Sequence, residues 1–169
     1  MSERRVIFET ERLIVRLYTP DDEESFFRLN GDEEIVRYIR PVKNREACNQ
    51  FLKEVILDAE KSPLIGRWAV DEKNSGINVG MFAIIPVDDT NKLQLGYALL
   101  KAYWGLGYAT ELTTQGIAYF FETFNHDQLF ALTEEANIPS QKVLEKCDFK
   151  LSEKHLKGEK EVREYSISK

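Results

Sequence analysis

A strand that runs directly into a helix through a glycine turn is the feature that most restricts the fold of this chain. Residues 92–100 have the composition of a strand, and helical spacing of apolar residues begins after Gly107. Gly105 and Gly107 lack a Cβ, so the backbone can turn sharply between the two elements, and Ala109 keeps the first helical turn slim. We therefore expect the end of a strand to lie beside the N-terminus of a helix.

The chemistry of such a junction is that of an anion site. The first four N–H groups of a helix have no partner within the helix and lie at the positive end of its dipole, which suits a phosphate or pyrophosphate without any lysine. The segment is not a Walker loop, since no Gly-Lys-Ser/Thr follows, and it lacks the full G-x-G-x-x-G pattern of a dinucleotide fold. From the residues alone, the glycines can equally serve only to shape a tight connection.

The spacing of apolar residues along the rest of the chain predicts the order of the elements. A period of two predicts six to seven strands, at residues 13–18, 65–70, 78–85, 92–100, 128–133, 149–156 and 161–167. Helical spacing and capping residues predict about four helices, at residues 19–30, 44–59, 107–125 and 139–147, and a short helical segment that begins with residues 32–34 after Gly31. This order predicts a mixed α+β fold in which helices cover a largely antiparallel sheet, within a single domain over residues 1–169.

Composition indicates where the protein is located and which classes of partner it binds. Of the 169 residues, 43% are hydrophobic and 31% charged, as in a soluble globular domain. No apolar run approaches the ~20 residues that span a bilayer, and Met1 to Phe8 carries charge where a signal peptide is apolar, so we expect a cytoplasmic protein without a membrane partner. The net charge of −6 argues against nucleic acid and is easier to reconcile with a cationic or neutral partner.

The residues of the glycine turn resemble a known motif. The sequence WGLGYATE at 104–111 is similar to the acetyl-CoA pyrophosphate loop of GNAT acetyltransferases, in the form typical of the Rim-type ribosomal-protein N-acetyltransferases. Three further stretches resemble that family in the same order: TERLIVR at 10–16 its opening strand, QLGY at 94–97 its fourth strand, and 137–146 its second cofactor-side motif. The resemblance covers nearly the whole chain and implies the GNAT fold, in which the sheet splays between strands 4 and 5.

The resemblance also implies acetyl-CoA as the cosubstrate and assigns backbone contacts to it. Its pantetheine arm would lie against the main chain of Leu99 and Leu100, where the N–H of Leu99 would also stabilise charge on the thioester oxygen. Trp104 stands where the family often has Arg or Gln, and it either contacts the cofactor or packs beside the loop. The pyrophosphate would be held by the amides of Gly105, Leu106, Gly107, Tyr108, Ala109 and Thr110.

Two side chains of the second motif receive a role from the resemblance. Asn137 corresponds to the family asparagine that bonds the pantetheine, and it can equally cap the helix that follows. Ser140 falls where Rim-type enzymes keep a serine near the CoA sulfur, so it is the candidate acid for the leaving thiolate, or else a hydroxyl in the first turn of a helix. No spacing indicates a metal site; we expect Cys48 and Cys147 to pack in helices, Cys147 away from the glycine turn.

The sequence departs from the family at positions that bear on catalysis. Gln94 replaces a glutamate that is a possible general base, Leu144 occupies the place of the usual tyrosine acid, and Asp148 replaces a glycine. The base that removes a proton from the acceptor ammonium is therefore not identified. The carboxylates nearest in sequence are expected to be surface groups: Glu111, Glu134 and Glu135.

The function that the resemblance implies is acetylation of a primary amine by direct attack in a ternary complex, without a covalent acetyl-enzyme. The expected acceptor is the N-terminal α-amine of a protein or peptide, as for Rim-type enzymes. A small amine such as a polyamine or aminoglycoside is the alternative acceptor, and a CoA-binding protein with weak or lost catalysis is the alternative to an enzyme. The sequence is compatible with a monomer or a homodimer.

Overall fold

The computed structural model describes residues 3–169, so Met1 and Ser2 of the charged N-terminal segment lie outside the described residues. Eight strands and five α-helices follow one another in that range. The strands are β1 Val6–Glu9, β2 Leu13–Arg16, β3 Gly66–Glu72, β4 Asn78–Pro86, β5 Leu93–Leu99, β6 Gln128–Glu134, β7 Lys150–Lys157 and β8 Lys160–Ser168. The helices are α1 Glu23–Asn30, α2 Glu33–Val36, α3 Arg45–Lys61, α4 Tyr108–Thr123 and α5 Ile138–Lys146.

One sheet contains all these strands in the order β1-β2-β3-β4-β5-β6-β8-β7. Neighbouring strands are antiparallel except β5 and β6, which run parallel. Among the described residues, β5 and β6 are paired in register only at Gln94 and Phe130. The predicted splay lies here, because β5 and β6 are the fourth and fifth strands of the count made from the sequence.

The α+β fold with a largely antiparallel sheet is confirmed, and the element counts change. There are eight strands rather than six to seven, because Val6–Glu9 pairs with β2 as a hairpin. The sequence did not predict this strand because its three apolar residues are consecutive and do not alternate with polar ones. The single-turn α2 makes five helices rather than about four.

Helices cover both faces of the sheet. Leu112 of α4 and Leu144 of α5 join a core that contains Trp68 and Phe82, while α1–α3 cover the opposite face around Met81. These two layers follow from the alternation of side chains along the central strands. Within residues 3–169, none of the helices is long and apolar enough to span a bilayer.

A buried ion network joins the chain before α1 to the sheet. Arg16 on β2 is only 2% exposed, and it bonds both to Asp22, through Nη2 at 2.8 Å, and to Asp71 on β3. Burial alone would lower the pKa of Arg16, but the hydrogen bonds to the two aspartates raise it above its usual value. The charge of Arg16 is therefore fully compensated inside the protein.

Gly116 lies on the face of α4 that packs against the sheet, and its substitution tests how close that packing is. An added Cβ would clash with Cζ of Phe82, so Gly116→Ala is expected to lower the free energy of unfolding by about 1–3 kcal/mol in urea denaturation. Gly96→Ala is the control, because no atom lies within 4 Å of its added Cβ, and it should change stability by no more than about 0.5–1 kcal/mol. Equal stability of the two variants would contradict the close packing.

Candidate functional site

The glycine turn connects the end of β5 to the start of α4. A 3₁₀ turn at Lys101–Tyr103 follows β5, and the chain then reverses through Gly105 and Gly107, whose φ angles are 73° and 83°. These left-handed conformations explain why glycine is needed at both positions. Gly107 is the N-cap of α4 and offers no side chain to its N–H groups.

The first turn of α4 therefore presents free amide groups. The N–H of Glu111 donates to the carbonyl of Gly107 at 3.0 Å and begins the helical ladder. The N–H groups of Tyr108, Ala109 and Thr110 precede this bond and have no helical carbonyl to reach. Together with the helix dipole they form a site for an anion.

The side chain of Glu111 anchors this turn to the segment before β2. Its carboxylate accepts hydrogen bonds from Thr10 Oγ1, from the N–H of Arg12 at 2.8 Å and from Arg12 Nε at 2.7 Å. Arg12 Nη1 in turn donates to the carbonyl of Leu106 at 3.0 Å. The expectation that Glu111 is a free surface carboxylate is wrong, since the turn depends on it.

Burial alone would raise the pKa of the Glu111 carboxyl, but the hydrogen bonds from Thr10 and Arg12 outweigh burial and lower it below its usual value. Glu111 is therefore ionised at neutral pH and fully occupied, which makes it a poor general base. No local pattern in the sequence signals this contact, because the partners lie about a hundred residues apart.

Tyr108 supports the turn from below. Its ring lies 4.4 Å beneath the Arg12 guanidinium and stacks on Tyr103, with centroids 6.1 Å apart. Its hydroxyl donates to Glu72, and this hydrogen bond, together with burial, raises the pKa of Tyr108. Only the backbone amide of Tyr108 is thus free for a ligand.

The last residues of β5 direct backbone groups toward the gap. Leu100 donates its N–H to the carbonyl of Val79 at 2.9 Å, so the antiparallel alternation leaves Leu99, opposite Gly80, unbonded to β4. The N–H groups of Leu99 and, by the same alternation, Tyr97 point toward β6, from which β5 has diverged. An extended ligand can pair with this free edge as an additional strand.

Trp104 bridges the turn and the free edge of β5. Its indole N–H donates to the carbonyl of Leu99 at 2.8 Å, while 47% of the residue is exposed. This bond leaves the N–H of Leu99 free and holds an exposed aromatic surface beside the gap.

The N-terminus of α5 contributes Asn137 and Ser140. Asn137 caps the helix, since its Oδ1 accepts the N–H of Ser140 at 3.4 Å, and this leaves its side-chain N–H groups for a ligand. Burial raises the pKa of Tyr97, and a hydrogen bond with the Ser140 side chain partly offsets that rise. The Ser140 hydroxyl is therefore next to β5 at the place where the gap opens.

Cys147 lies nearer the turn than expected. The prediction that it sits away from the turn is wrong: its Sγ is 3.8 Å from the carbonyl of Thr110 and 3.7 Å from Oγ1 of Thr114. The prediction that both cysteines are packing residues is confirmed, because Cys48 and Cys147 are buried free thiols. Burial raises the pKa of each thiol.

The two remaining carboxylates near the turn in sequence are ion-paired. Glu134 pairs with Lys160 at 3.0 Å, and Glu135 pairs with Arg163 at 3.0 Å. Gln94 lies on the α1–α3 face of β5. Across residues 3–169, His, Cys, Asp and Glu side chains form no group of three that could hold a metal ion.

Known proteins share both the sequence pattern and the fold. The family model for the acetyltransferase (GNAT) domain matches residues 12–150. YoaA of Bacillus subtilis, an uncharacterized N-acetyltransferase, is 25% identical over 85% of this chain and 82% of its own length. A GNAT-family acetyltransferase from Bacillus anthracis superposes with a TM-score of 0.83 at 21% identity, over 95% of this chain and 96% of its own. RimL, a ribosomal-protein alpha-N-acetyltransferase solved with CoA, gives a TM-score of 0.81 at 13% identity, over 97% and 98%.

The anchor at Glu111 predicts a pH-dependent contribution to stability. Because the pKa of Glu111 is lower in the folded protein, its contribution is complete above the unfolded value of about 4.3 and is lost as pH falls through the folded value. Glu111→Gln should cost about 1–3 kcal/mol near neutral pH, and the difference in thermal midpoint from wild type should narrow below about pH 4.

The control for this measurement is Glu122→Gln, at an exposed position on the same helix. It should match wild type at every pH. A difference between wild type and Glu111→Gln that stays constant from neutral pH to pH 3 would contradict the anchoring role.

Proposed function

We propose that this chain, an acyltransferase that belongs to the GNAT acetyltransferase family, transfers an acetyl group from acetyl-CoA to a primary amine. The proposal depends on two neighbouring sets of backbone N–H groups that have no partner in the helix or the sheet. One set lies at the N-terminus of α4, and the other lies along β5 after Gln94, where β5 has left β6. The first set suits a pyrophosphate and the second suits an extended pantetheine arm. RimL, which has the same fold, was solved with CoA.

The cofactor contacts follow from this geometry. Leu99 offers its main-chain N–H to the pantetheine, while Leu100, whose N–H is bonded to Val79, only lines the arm. Asn137 donates to one of the pantetheine amides, and Trp104 covers the arm with its exposed ring. The pyrophosphate is assigned to the amides of Gly105, Leu106, Gly107, Tyr108, Ala109 and Thr110.

Arg12 adds a cation to this set, although the sequence pattern did not assign it a role. Its Nη2 lies 3.4 Å from the position of a Cβ on Gly107, which places positive charge beside the proposed phosphates. It can therefore supply the charge that the family often takes from an Arg at the position of Trp104.

The chemical step needs a donor for the thioester oxygen and an acid for sulfur. The acceptor nitrogen attacks the thioester carbon, the carbon–sulfur bond breaks, and the N–H of Leu99 stabilises the negative charge that develops on oxygen. Ser140 gives its proton to the departing sulfur and regains one from the acylated nitrogen through water. Because Gln94 cannot accept a proton and the nearby glutamates are occupied, we assign deprotonation of the ammonium to water.

Direct transfer is favoured over a covalent acetyl-enzyme. Cys147 is the thiol nearest the turn, but it is buried against α4 and its pKa is raised. A thiol of this kind is a poor nucleophile because little thiolate forms at neutral pH.

The acceptor that we propose first is the N-terminal α-amine of a protein or peptide, the class on which RimL acts by its name. A small amine is the alternative, and a CoA-binding protein with weak catalysis is the alternative to an enzyme. The proposal takes residues 1–169 as one domain acting in the cytoplasm, as a monomer or homodimer, with no metal, nucleic acid or membrane partner.

Substitution of Gly107 tests the cofactor site. Gly107→Val forces a branched side chain into a left-handed turn, which costs about 1–3 kcal/mol of strain, and also places methyl groups beside the anion site. Isothermal titration should show acetyl-CoA binding to wild type and a loss of at least ~10-fold in affinity for this variant.

Gly158→Val is the matched control, because Gly158 has a similar φ of 66° in the hairpin between β7 and β8. It should bind acetyl-CoA as wild type does. Absence of binding to the wild-type protein would refute the cofactor assignment and the proposed function with it.

Ser140 is tested by steady-state kinetics. Ser140→Ala should lower kcat by about 10²-fold while the affinity for acetyl-CoA is unchanged, since the hydroxyl acts on the leaving sulfur rather than on binding. Ser140→Thr keeps the hydroxyl and should recover part of the rate. An unchanged kcat in Ser140→Ala would remove Ser140 from the mechanism.

A further inference from the structure

A recess of small residues lies on the α1–α3 face of the sheet, beside the free edge of β5. The register aligns Arg67 on β3 with Ala83 on β4 and Gly96 on β5, so these three residues share one face. A Cβ added to Gly96 would have no atom within 4 Å, which shows that the space above it is open. The next row along the same face ends in Ala98, directly before Leu99.

Two arginines border this recess without a counter-ion. Among residues 3–169, no carboxylate lies within 4.0 Å of the guanidinium of Arg40 or Arg67. Both guanidinium carbons lie over the ring of Phe51, at 5.3 and 5.4 Å from its centroid, and Lys43 Nζ is 5.4 Å from it. Asp58 acts on Arg67 only from a longer distance.

Unused hydrogen-bond donors accompany these charges. Arg40 Nη1 and the Tyr18 hydroxyl are both buried and have no hydrogen-bond partner among residues 3–169, and within that range Arg40 Nη2 reaches only Met81 Sδ, at 3.8 Å. Burial and the nearby charge of Arg67 lower the pKa of Arg40 to about 10. An uncompensated cation of this kind is costly, and so are buried donors without acceptors.

The contrast with Arg16 shows that this arrangement is specific to the recess. Arg16 is more deeply buried than Arg40 and Arg67, yet it is paired with Asp22 and Asp71, and its pKa is raised rather than lowered. The same fold therefore pairs one buried arginine internally and leaves two half-buried arginines, Arg40 and Arg67, without a carboxylate partner in the described part of the chain. Arg67 shares a face of the sheet with Ala83 and Gly96. An anion in the recess would supply the missing acceptors.

Resting on the proposed function, we infer that the acceptor is an amine with a carboxylate or phosphate at its far end, bound by Arg40 and Arg67. Arg67 lies two strand spacings, roughly 10 Å, from the edge of β5 where the amine is presented. The anionic group and the amine thus belong to opposite ends of the acceptor. An acceptor of this kind is a short peptide with a carboxylate side chain or an amino-sugar phosphate, and not a polyamine. The net negative charge of the whole chain does not oppose this, because the arginines make the charge at this face positive.

The first experiment measures anion binding directly. The wild-type protein is saturated with CoA, so that the anion site of α4 is filled, and is then titrated with inorganic phosphate. We expect binding that weakens at least ~10-fold in Arg40→Gln and in Arg67→Gln. Arg37→Gln, which removes an exposed charge from the same segment as Arg40, is the control and should bind as wild type does. Absent or equal phosphate binding in wild type and both variants would overturn the inference.

The second experiment compares matched acceptors by kcat/KM. A tripeptide ending in Glu is paired with the same tripeptide ending in an amidated Gln, and an amino-sugar phosphate with the same sugar without phosphate. The anionic member should be preferred at least ~10-fold, through KM, and the pair that shows the preference identifies the source of the anion. Arg67→Gln should abolish the preference and Arg67→Lys should restore part of it. Equal use of neutral and anionic acceptors would overturn the inference.

These outcomes separate the inference from the function on which it rests. Loss of acetyl-CoA binding in the wild type would refute the proposed function, whereas acetylation without any anion preference would refute only the role of the arginines. If the wild-type protein binds acetyl-CoA and phosphate but acetylates no acceptor, the anion site is supported and the protein is a CoA-binding protein with weak catalysis.

Discussion

The rest of the site depends on the divergence of β5 from β6. Parallel strands that remained paired would exchange hydrogen bonds along their whole length, and no backbone group would be left for a ligand. Here pairing is confined to Gln94 and Phe130, so the N–H groups of Tyr97 and Leu99 are released at the edge. The same divergence places the start of α4 on one side of the gap and the small-residue recess on the other.

The glycine turn keeps its shape through contacts with distant parts of the chain. Glu111 is held by Thr10 and Arg12, and Arg12 also bonds the carbonyl of Leu106. These bonds fix the free amides of α4 toward the gap before any ligand arrives, which lowers the conformational cost of binding. The carboxylate that the sequence suggested to be a surface group is thus the one that holds the turn and its free amides in place.

The arginines that pack against the α1–α3 side of the protein divide into a buried, ion-paired one and two half-buried ones without ion-pair partners. Arg16 with Asp22 and Asp71 ties the first helix to the sheet, and each of these three charges has a partner. Arg40 and Arg67 have none within salt-bridge distance in the described part of the chain, and they border the face beside the β5 edge. Local charge at this face is therefore opposite to the net charge of −6, so overall composition does not describe the charge beside the β5 edge.

By itself, the sequence determined most of the elements and the glycine turn, because helical and strand periods and the conformations of Gly105 and Gly107 are local properties. It missed β1, where three apolar residues give no period. Only the tertiary structure decided what the turn rests on and what the recess contains, since Arg12 meets Glu111 across about a hundred residues and Arg40 meets Arg67 from a separate element. Contacts of this kind depend on which faces pack together, and no spacing along the chain records that.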